Sequence, residues 1–244
     1  MELIRSLSHN ETFLMVMAGI MPAILLVAYI CWKDRKHPEP FWWVIYATVM
    51  GCASALFGGL LAGGISLLPF WALIPAGSVA HAWATALFSA AVPEELAKWF
   101  FLYRLSRTNP YFDERFDAIV YAVCIGMGFA GLENLLYLLG SIETWRSVAI
   151  TRGILSVPGH FAFAVLMGYY FGKVHFSRST WKRMKLAPMV WLAPIAAHAV
   201  YDGLLMMNHD LPVIVDGIIG VVFVVFLLKL HRFSGTRIKK LEGR

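Results

Sequence analysis

Seven long apolar segments divide this 244-residue chain and leave few choices for its fold. Their approximate bounds are 12–32, 41–65, 80–104, 117–140, 153–172, 186–207 and 211–230. Each is close to the roughly 20 residues that a helix needs to cross a bilayer. Backbone groups in lipid must be hydrogen-bonded within the protein, so single segments of this length cross as helices. The pattern predicts an all-α polytopic membrane protein with about seven transmembrane helices.

The composition agrees with this prediction and limits the domain count. Hydrophobic residues make up 59% of the chain and charged residues only 15%, whereas a soluble domain has about 25% charged residues. The spans and their short connections leave no room for a large soluble domain. We therefore expect a single integral-membrane domain over residues 1–244, with the core that bears its motifs, described below, at about 80–207.

The distribution of basic residues indicates an orientation. Most of the 21 Lys and Arg residues lie on the connections after the first, third, fifth and seventh segments, whereas Arg5, Arg146 and Arg152 lie on the other side. By the positive-inside rule, the N-terminus is predicted outside and the C-terminus in the cytoplasm. The net charge of +6 is thus explained by membrane topology. We expect the lipid bilayer as surroundings and no nucleic-acid partner.

Four of the apolar segments contain polar or ionisable residues that are expensive in a bilayer. A charged side chain at the centre of a helix costs roughly 2.5 to 3.5 kcal/mol on insertion scales. Any one of them has an ordinary explanation, such as a structural ion pair or a hydrogen bond between helices. Their similar estimated depth in most of these segments favours one shared site instead. The residues are Glu94, Glu95 and Lys98 in the third segment, Glu133 and Asn134 in the fourth, His160 in the fifth, and His198 and Asp202 in the sixth.

These residue types suit the hydrolysis of a peptide bond. Carboxylates crowded in an apolar site cannot all be ionised, so one holds a proton while another activates water. A His or Asn then stabilises the oxyanion that forms when water attacks a carbonyl. Two alternatives stay open: the same His and Glu residues hold a catalytic zinc, or the ionisable residues form the pathway of a proton- or ion-coupled transporter.

Four motifs resemble those of the PrsW-type intramembrane proteases, which share core motifs with CAAX prenyl endopeptidases and bacteriocin-processing enzymes. The matches are EELAK (94–98) for EExxK, FAGLEN (129–134) for FxxxEN, GHFAF (159–163) for the histidine motif, and HAVYD (198–202) for HxxxD. EExxK alone is a weak signal. The four motifs in this order, each on its own segment, form a specific pattern.

The resemblance implies cleavage of a membrane-anchored, single-span protein in a bacterial or archaeal cell membrane, such as an anti-sigma factor in envelope-stress signalling. Glu94 and Glu95 would supply the general base, with Glu133, His160 and His198 as partners or oxyanion stabilisers. Lys98, Asn134 and Asp202 would support them. The interpretation favours glutamate-activated water without a metal, because two adjacent carboxylates with a lysine differ from an ordinary zinc site. The alternatives are the zinc-dependent form and a CAAX-type or bacteriocin-processing endopeptidase. The sequence leaves open which of Glu94 and Glu95 is the base.

Overall fold

The computed structural model describes residues 8–207 and 213–241. Within these ranges the chain folds into helices with no β-strand, which confirms the predicted all-α class. Six helices in the described part are long and apolar enough to cross a membrane. The third predicted segment, 80–104, is not among the six, because Glu94, Glu95 and Lys98 lower its hydropathy. Arg5 and the turn predicted at Asn208 lie outside the described residues.

The helices follow one another with short connections. Two π-helical turns, Thr85–Ala91 and Arg152–Ser156, each lead directly into an α-helix. Two 3₁₀ turns cover Pro69–Leu73 and Ile142–Thr144. The α-helices are α1 His9–Lys33, α2 Phe41–Ser66, α3 Val79–Ala84, α4 Val92–Thr108, α5 Asp117–Gly140, α6 Trp145–Thr151, α7 Val157–His175, α8 Thr180–Leu186, α9 Met189–Met206 and α10 Val213–Leu241.

The two π turns share a cause that can be read from the sequence. Pro93 lies in the first turn of α4, and Pro158 lies in the first turn of α7. A proline inside a helix has no N–H to donate and clashes with the carbonyl four residues earlier. The wider π turn before each proline removes this conflict. Pro93 therefore neither breaks nor restarts the third segment, which stays helical from Val79 to Thr108.

Helix α5 lies at the centre of the molecule and contacts α1, α2, α4 and α7. In its most apolar stretch 78% of the residues are buried, against 17% in the corresponding stretch of α10 at the periphery. Two glycines allow α2 and α5 to touch: a Cβ at Gly128 would lie 1.9 Å from the Thr48 carbonyl oxygen, and one at Gly51 would lie 2.1 Å from the Ile125 carbonyl oxygen. This close contact fixes the position of α5, which carries Glu133.

The structure corrects one predicted connection. Residues 141–152 were expected to link two spans, but they form a 3₁₀ turn, α6 and the start of a π turn that continues into α7. Arg152 therefore belongs to the same helical column as His160 and not to a loop. At the other end of the chain, α10 continues to Leu241, beyond the predicted end at 230.

Candidate active site

Helix α4 determines the direction in which each of the three charged side chains of the EELAK motif points. Glu94 borders a cavity of about 260 Å³ and its side chain is 13% exposed. The side chain of Glu95 is 0% exposed, and its Oε1 accepts a hydrogen bond from Lys98 Nζ at 2.7 Å. Lys98 Nζ also lies 3.7 Å from Glu94 Oε2. Glu94 is thus the glutamate that faces the cavity, and Glu95 is held behind it.

Helix α5 places Glu133 on the same cavity and Asn134 beside it. Asn134 is buried and joins three helices through its amide. Its Nδ2 donates to the Gly19 carbonyl of α1 at 3.1 Å, and its Oδ1 accepts from Arg152 Nε at 2.8 Å. Asn134 therefore supports the walls of the site and does not border the cavity itself.

His160 of α7 is buried between Glu133 and Lys98. Its Nε2 lies 3.0 Å from Glu133 Oε2, and its Nδ1 lies 3.1 Å from Lys98 Nζ. An ammonium group can only donate hydrogen bonds, so contact with the Lys98 ammonium requires a lone pair on Nδ1. The proton of a neutral His160 is then on Nε2, which donates to Glu133.

His198 of α9 connects the remaining carboxylates. Its Nδ1 lies 3.0 Å from Glu95 Oε1, while its Nε2 lies 3.1 Å from Asp202 Oδ2 and 3.9 Å from Glu94 Oε2. A carboxylate on each side of the ring suits a histidine that donates from both nitrogens. The four motifs thus meet around one cavity, which Glu94, Glu133, His160, His198 and Asp202 border.

Two aromatic residues of the motifs have contacts that the sequence interpretation missed. Lys98 Nζ lies 4.0 Å from the centroid of the Phe129 ring, a cation–π contact. The Phe163 ring stacks on His198 with centroids 4.7 Å apart. The motif spacing could have predicted that both rings face the site. Phe129 precedes Glu133 by one helical turn and Phe163 follows His160 by nearly one turn, so each ring lies on the same helix face as the polar residue.

Arg152 borders the same cavity, whereas the sequence interpretation placed it in a connection between spans. Its Nη2 donates to Glu133 Oε2 at 2.5 Å, and its guanidinium lies 3.8 Å from the centroid of Tyr137. Together with the bond to Asn134, these contacts hold a cation at the edge of the cavity. Pro158 was the sequence feature that could have predicted this position. A proline at the start of a helix requires a wider turn before it, and that turn includes Arg152.

The charges of the site do not balance without added protons or an ion. Four carboxylates, Glu94, Glu95, Glu133 and Asp202, are present with only two obligate cations, Lys98 and Arg152. Buried charges that lack compensation are costly. Two further positive charges are needed, and either protons on histidines and carboxylates or one divalent ion would supply them.

The donor set fits a divalent metal in type and spacing. Glu94, His160 and His198 each offer one ligand atom, and these atoms lie within 4.8 Å of one another. Glu94 Oε2 is buried without a hydrogen-bond partner among the described residues. Two histidines and one glutamate are the ligands of some catalytic zinc sites, which leave one position for water. The hydrogen bond between Glu95 and His198 Nδ1 would orient His198 Nε2 for a metal.

Comparison with known proteins identifies the family. The sequence profile described as "PrsW family intramembrane metalloprotease" matches residues 39–230. This chain belongs to the PrsW family. A relative from Geobacillus kaustophilus (strain HTA426), named "Protease PrsW", is 39% identical over 95% of this chain and 93% of its own length. The family match confirms the resemblance drawn from the four motifs.

Further members of the family carry the same name. The protein from Bacillus subtilis (strain 168) is 32% identical over 79% of this chain and 83% of its own length, and the one from Oceanobacillus iheyensis is 31% identical over 88% and 94%. No solved structure matches the chain. The bacterial relatives and the apolar helices indicate an integral protein of the bacterial cell membrane.

Proposed function

We propose that this chain is an intramembrane endopeptidase that hydrolyses a peptide bond in a single-span membrane protein with water activated by Glu94. The observation that carries the proposal is the single cavity bordered by Glu94, Glu133, His160, His198 and Asp202, which come from four separate helices. The names of the relatives support peptidase activity. An anti-sigma factor remains the substrate suggested by the motif resemblance.

Glu94 is the proposed base because its carboxylate reaches the cavity and keeps one oxygen free of hydrogen bonds. In the proposed reaction Glu94 takes one proton from water, and the water oxygen attacks the carbonyl carbon of the substrate. Glu95 is unsuited to this role, since Lys98 and His198 occupy its Oε1 and its side chain is fully buried. Its proposed task is to hold those two residues in place.

The negative charge that develops on the substrate oxygen needs donors at the edge of the cavity. His198 Nε2 and the Arg152 guanidinium are the candidates, because both border the cavity. The proton taken by Glu94 then passes to the leaving nitrogen as the C–N bond breaks. The products are one new carboxylate, which contains the water oxygen, and one new amine.

A zinc-dependent form of the same site is the second candidate, and the family description together with the donor set favours it. Glu94, His160 and His198 would hold the ion, which would supply Lewis-acid polarisation of the carbonyl and of water. The residue that opposes this form is His160, whose Nδ1 faces the donor Lys98 Nζ at 3.1 Å. A lone pair on Nε2 for a metal would require the imidazole proton to move to Nδ1 and Lys98 to stop donating.

The test is cleavage of a tagged single-span substrate by the purified full-length protein in proteoliposomes. Wild type is compared with Glu94→Gln, Glu133→Gln and His198→Ala, and metal content is measured by mass spectrometry. The proposal expects loss of cleavage in Glu94→Gln and no effect of a chelator on wild type. Full activity in all three variants would remove the site assignment.

The chelator separates the two forms of the mechanism. Loss of cleavage on chelation, restored by one equivalent of zinc, would replace the glutamate mechanism by the zinc-dependent one. Arg146→Gln is the matched control, because Arg146 lies six residues before Arg152 but pairs with Glu11 at the surface. This variant should cleave like wild type.

A further inference from the structure

A second cavity, which none of the four motifs borders, is bordered mainly by basic side chains and hydroxyls. It measures about 410 Å³ and lies where α7 ends and α8 begins. Its polar border consists of Arg115, Lys173, Arg178, Lys182, Ser177 and Ser179. Four cations and two hydroxyls are donors that suit a phosphate group.

Backbone packing holds two of these cations together. A Cβ at Gly172 would lie 2.7 Å from the Arg115 carbonyl oxygen, so the loop before α5 rests directly on the end of α7. Lys173 follows Gly172 and donates to Tyr169 Oη at 3.1 Å, and Arg237 of α10 donates to the same oxygen at 3.2 Å. The convergence of α5, α7 and α10 thus concentrates positive charge beside the cavity.

These four cations have no acidic partner among the described residues. The salt bridges of the described ranges involve Lys98, Arg146, Arg152, His160 and His198, and none of the cations that border this cavity. Asp113 and Glu114, the acidic residues nearest to Arg115 in sequence, border a neighbouring cavity of about 250 Å³ that shares Arg115 and Phe176 with this one, and neither forms an ion pair with the four cations. Lys173, Arg178 and Lys182 border only the basic cavity, so in the described part of the chain their positive charge faces no paired carboxylate.

The location favours a phospholipid over a soluble anion. The cavity lies at the ends of two membrane-crossing helices, and Phe176 and Leu186 add apolar border beside the cations. On α8, Trp181 is 74% exposed and Met184 is 66% exposed. Tryptophan is enriched at the level of lipid headgroups, where its ring contacts both apolar and polar surroundings. Lysine and arginine side chains also suit this level, because their apolar stems lie along apolar surroundings while their charged ends reach polar ones.

We propose that this cavity binds the phosphate headgroup of an anionic phospholipid, with Arg115, Lys173, Arg178 and Lys182 as its ligands. The site is separate from the proposed active site and independent of catalysis. Basic groups beside a membrane surface attract anionic lipid, and the cavity confines that attraction to one headgroup.

The experiment is native mass spectrometry of the full-length protein, stripped of lipid in neutral detergent and titrated with phosphatidylglycerol or phosphatidylcholine. The test variant is Arg178→Gln with Lys182→Gln, and the control is Arg35→Gln with Lys36→Gln, which removes two exposed cations from another connection. We expect wild type and control to bind phosphatidylglycerol preferentially. The test variant should bind it roughly thirtyfold more weakly.

Equal binding of phosphatidylglycerol by the test variant and the control would overturn the proposal, as would equal binding of the two lipids by wild type. An arm with inorganic phosphate alone distinguishes the source of the anion: displacement of the lipid by millimolar phosphate would assign the cavity to free phosphate. If the double variant unfolds in a thermal melt, Arg178→Gln alone is used, with Arg35→Gln as its control.

Discussion

Helix α5 carries a buried carboxylate at its first residue and a partly buried one in its last third, and the groups around them are compensated in different ways. Glu133, in its last third, faces Arg152 at 2.5 Å and His160 at 3.0 Å. Asp117, at its first residue, lies with Asp34 and Glu39 in what we call the acidic end cluster. About 24 Å separates the two groups, at ~1.5 Å per residue. In the described part of the chain, ion pairs are found around Glu133 and not around the acidic end cluster.

The acidic end cluster is compensated by hydrogen bonds and protons. Tyr121 Oη donates to Glu39, and the backbone N–H groups of Asp113 and Glu114 donate to Asp117 Oδ2 at 2.8 and 2.7 Å. Burial, with the charges of Asp117 and Glu114, raises the pKa of Asp34 to about 7. Burial also raises the pKa of Glu39 to about 8. Asp34 and Glu39, which have no ion pair among the described residues, therefore hold protons more tightly than free carboxyl groups do.

The largest effect is expected from Glu94→Gln. Loss of a general base lowers the rate by about 10²- to 10⁴-fold, while the protein should keep its fold because Glu94 makes no hydrogen bond through Oε2. The measurement is the cleavage rate in proteoliposomes together with the melting temperature. Glu11→Gln, at an exposed surface pair with Arg146, is the control. Undiminished cleavage by Glu94→Gln would assign the base to another carboxylate of the cavity.

Lys98→Met should instead affect stability. It leaves the buried Glu95 with His198 as its one remaining side-chain partner among the described residues, and removal of one partner of a buried ion pair costs about 3 to 5 kcal/mol. The melting temperature in detergent should fall, and Lys98→Met with Glu95→Gln should regain part of the loss, because no uncompensated charge then remains on Glu95. A double variant less stable than Lys98→Met would show that the two residues do not act as a pair.

Sequence reasoning predicted the helical class and grouped residues that lie around one cavity in the structure, because the cost of charge in lipid is visible in any apolar segment. It did not predict that Glu94 and Glu95 would have different environments, since helix phase near Pro93 depends on the π turn that precedes it. Arg152 was placed in a connection for the same reason, as the π turn before Pro158 is invisible to hydropathy. The predicted orientation of the termini remains a prediction, as does the single domain.

Arg152 provides a test of how far the cationic compensation matters. Arg152→Gln removes charged hydrogen bonds to Glu133 and Asn134, which are worth about ten- to a hundredfold in rate if they act in the transition state. Arg152→Lys should recover part of the activity, and added guanidinium should partly rescue Arg152→Ala. A variant that is merely misfolded would not respond to guanidinium. Arg146→Gln, tested in parallel, should match wild type.

The smallest effect belongs to the acidic end cluster and appears as a dependence of stability on pH. The pKa of Asp34 in the folded protein is about 7, against an ordinary value of 3.8, so the folded state binds the proton more tightly. Its contribution to stability is complete below about pH 4 and is lost as the pH rises through about 7. Glu39 extends the pH range of this loss to about pH 8 and also faces Tyr121 and Asp117.

The melting temperature in detergent should therefore fall between pH 5 and pH 8, and it should fall less in the double variant Asp34→Asn with Glu39→Gln. Asp113→Asn, at an exposed position beside the cluster, should retain the wild-type slope. If the melting temperature of the double variant falls with pH as steeply as that of wild type, the cluster is compensated by cations, as Glu133 is by Arg152.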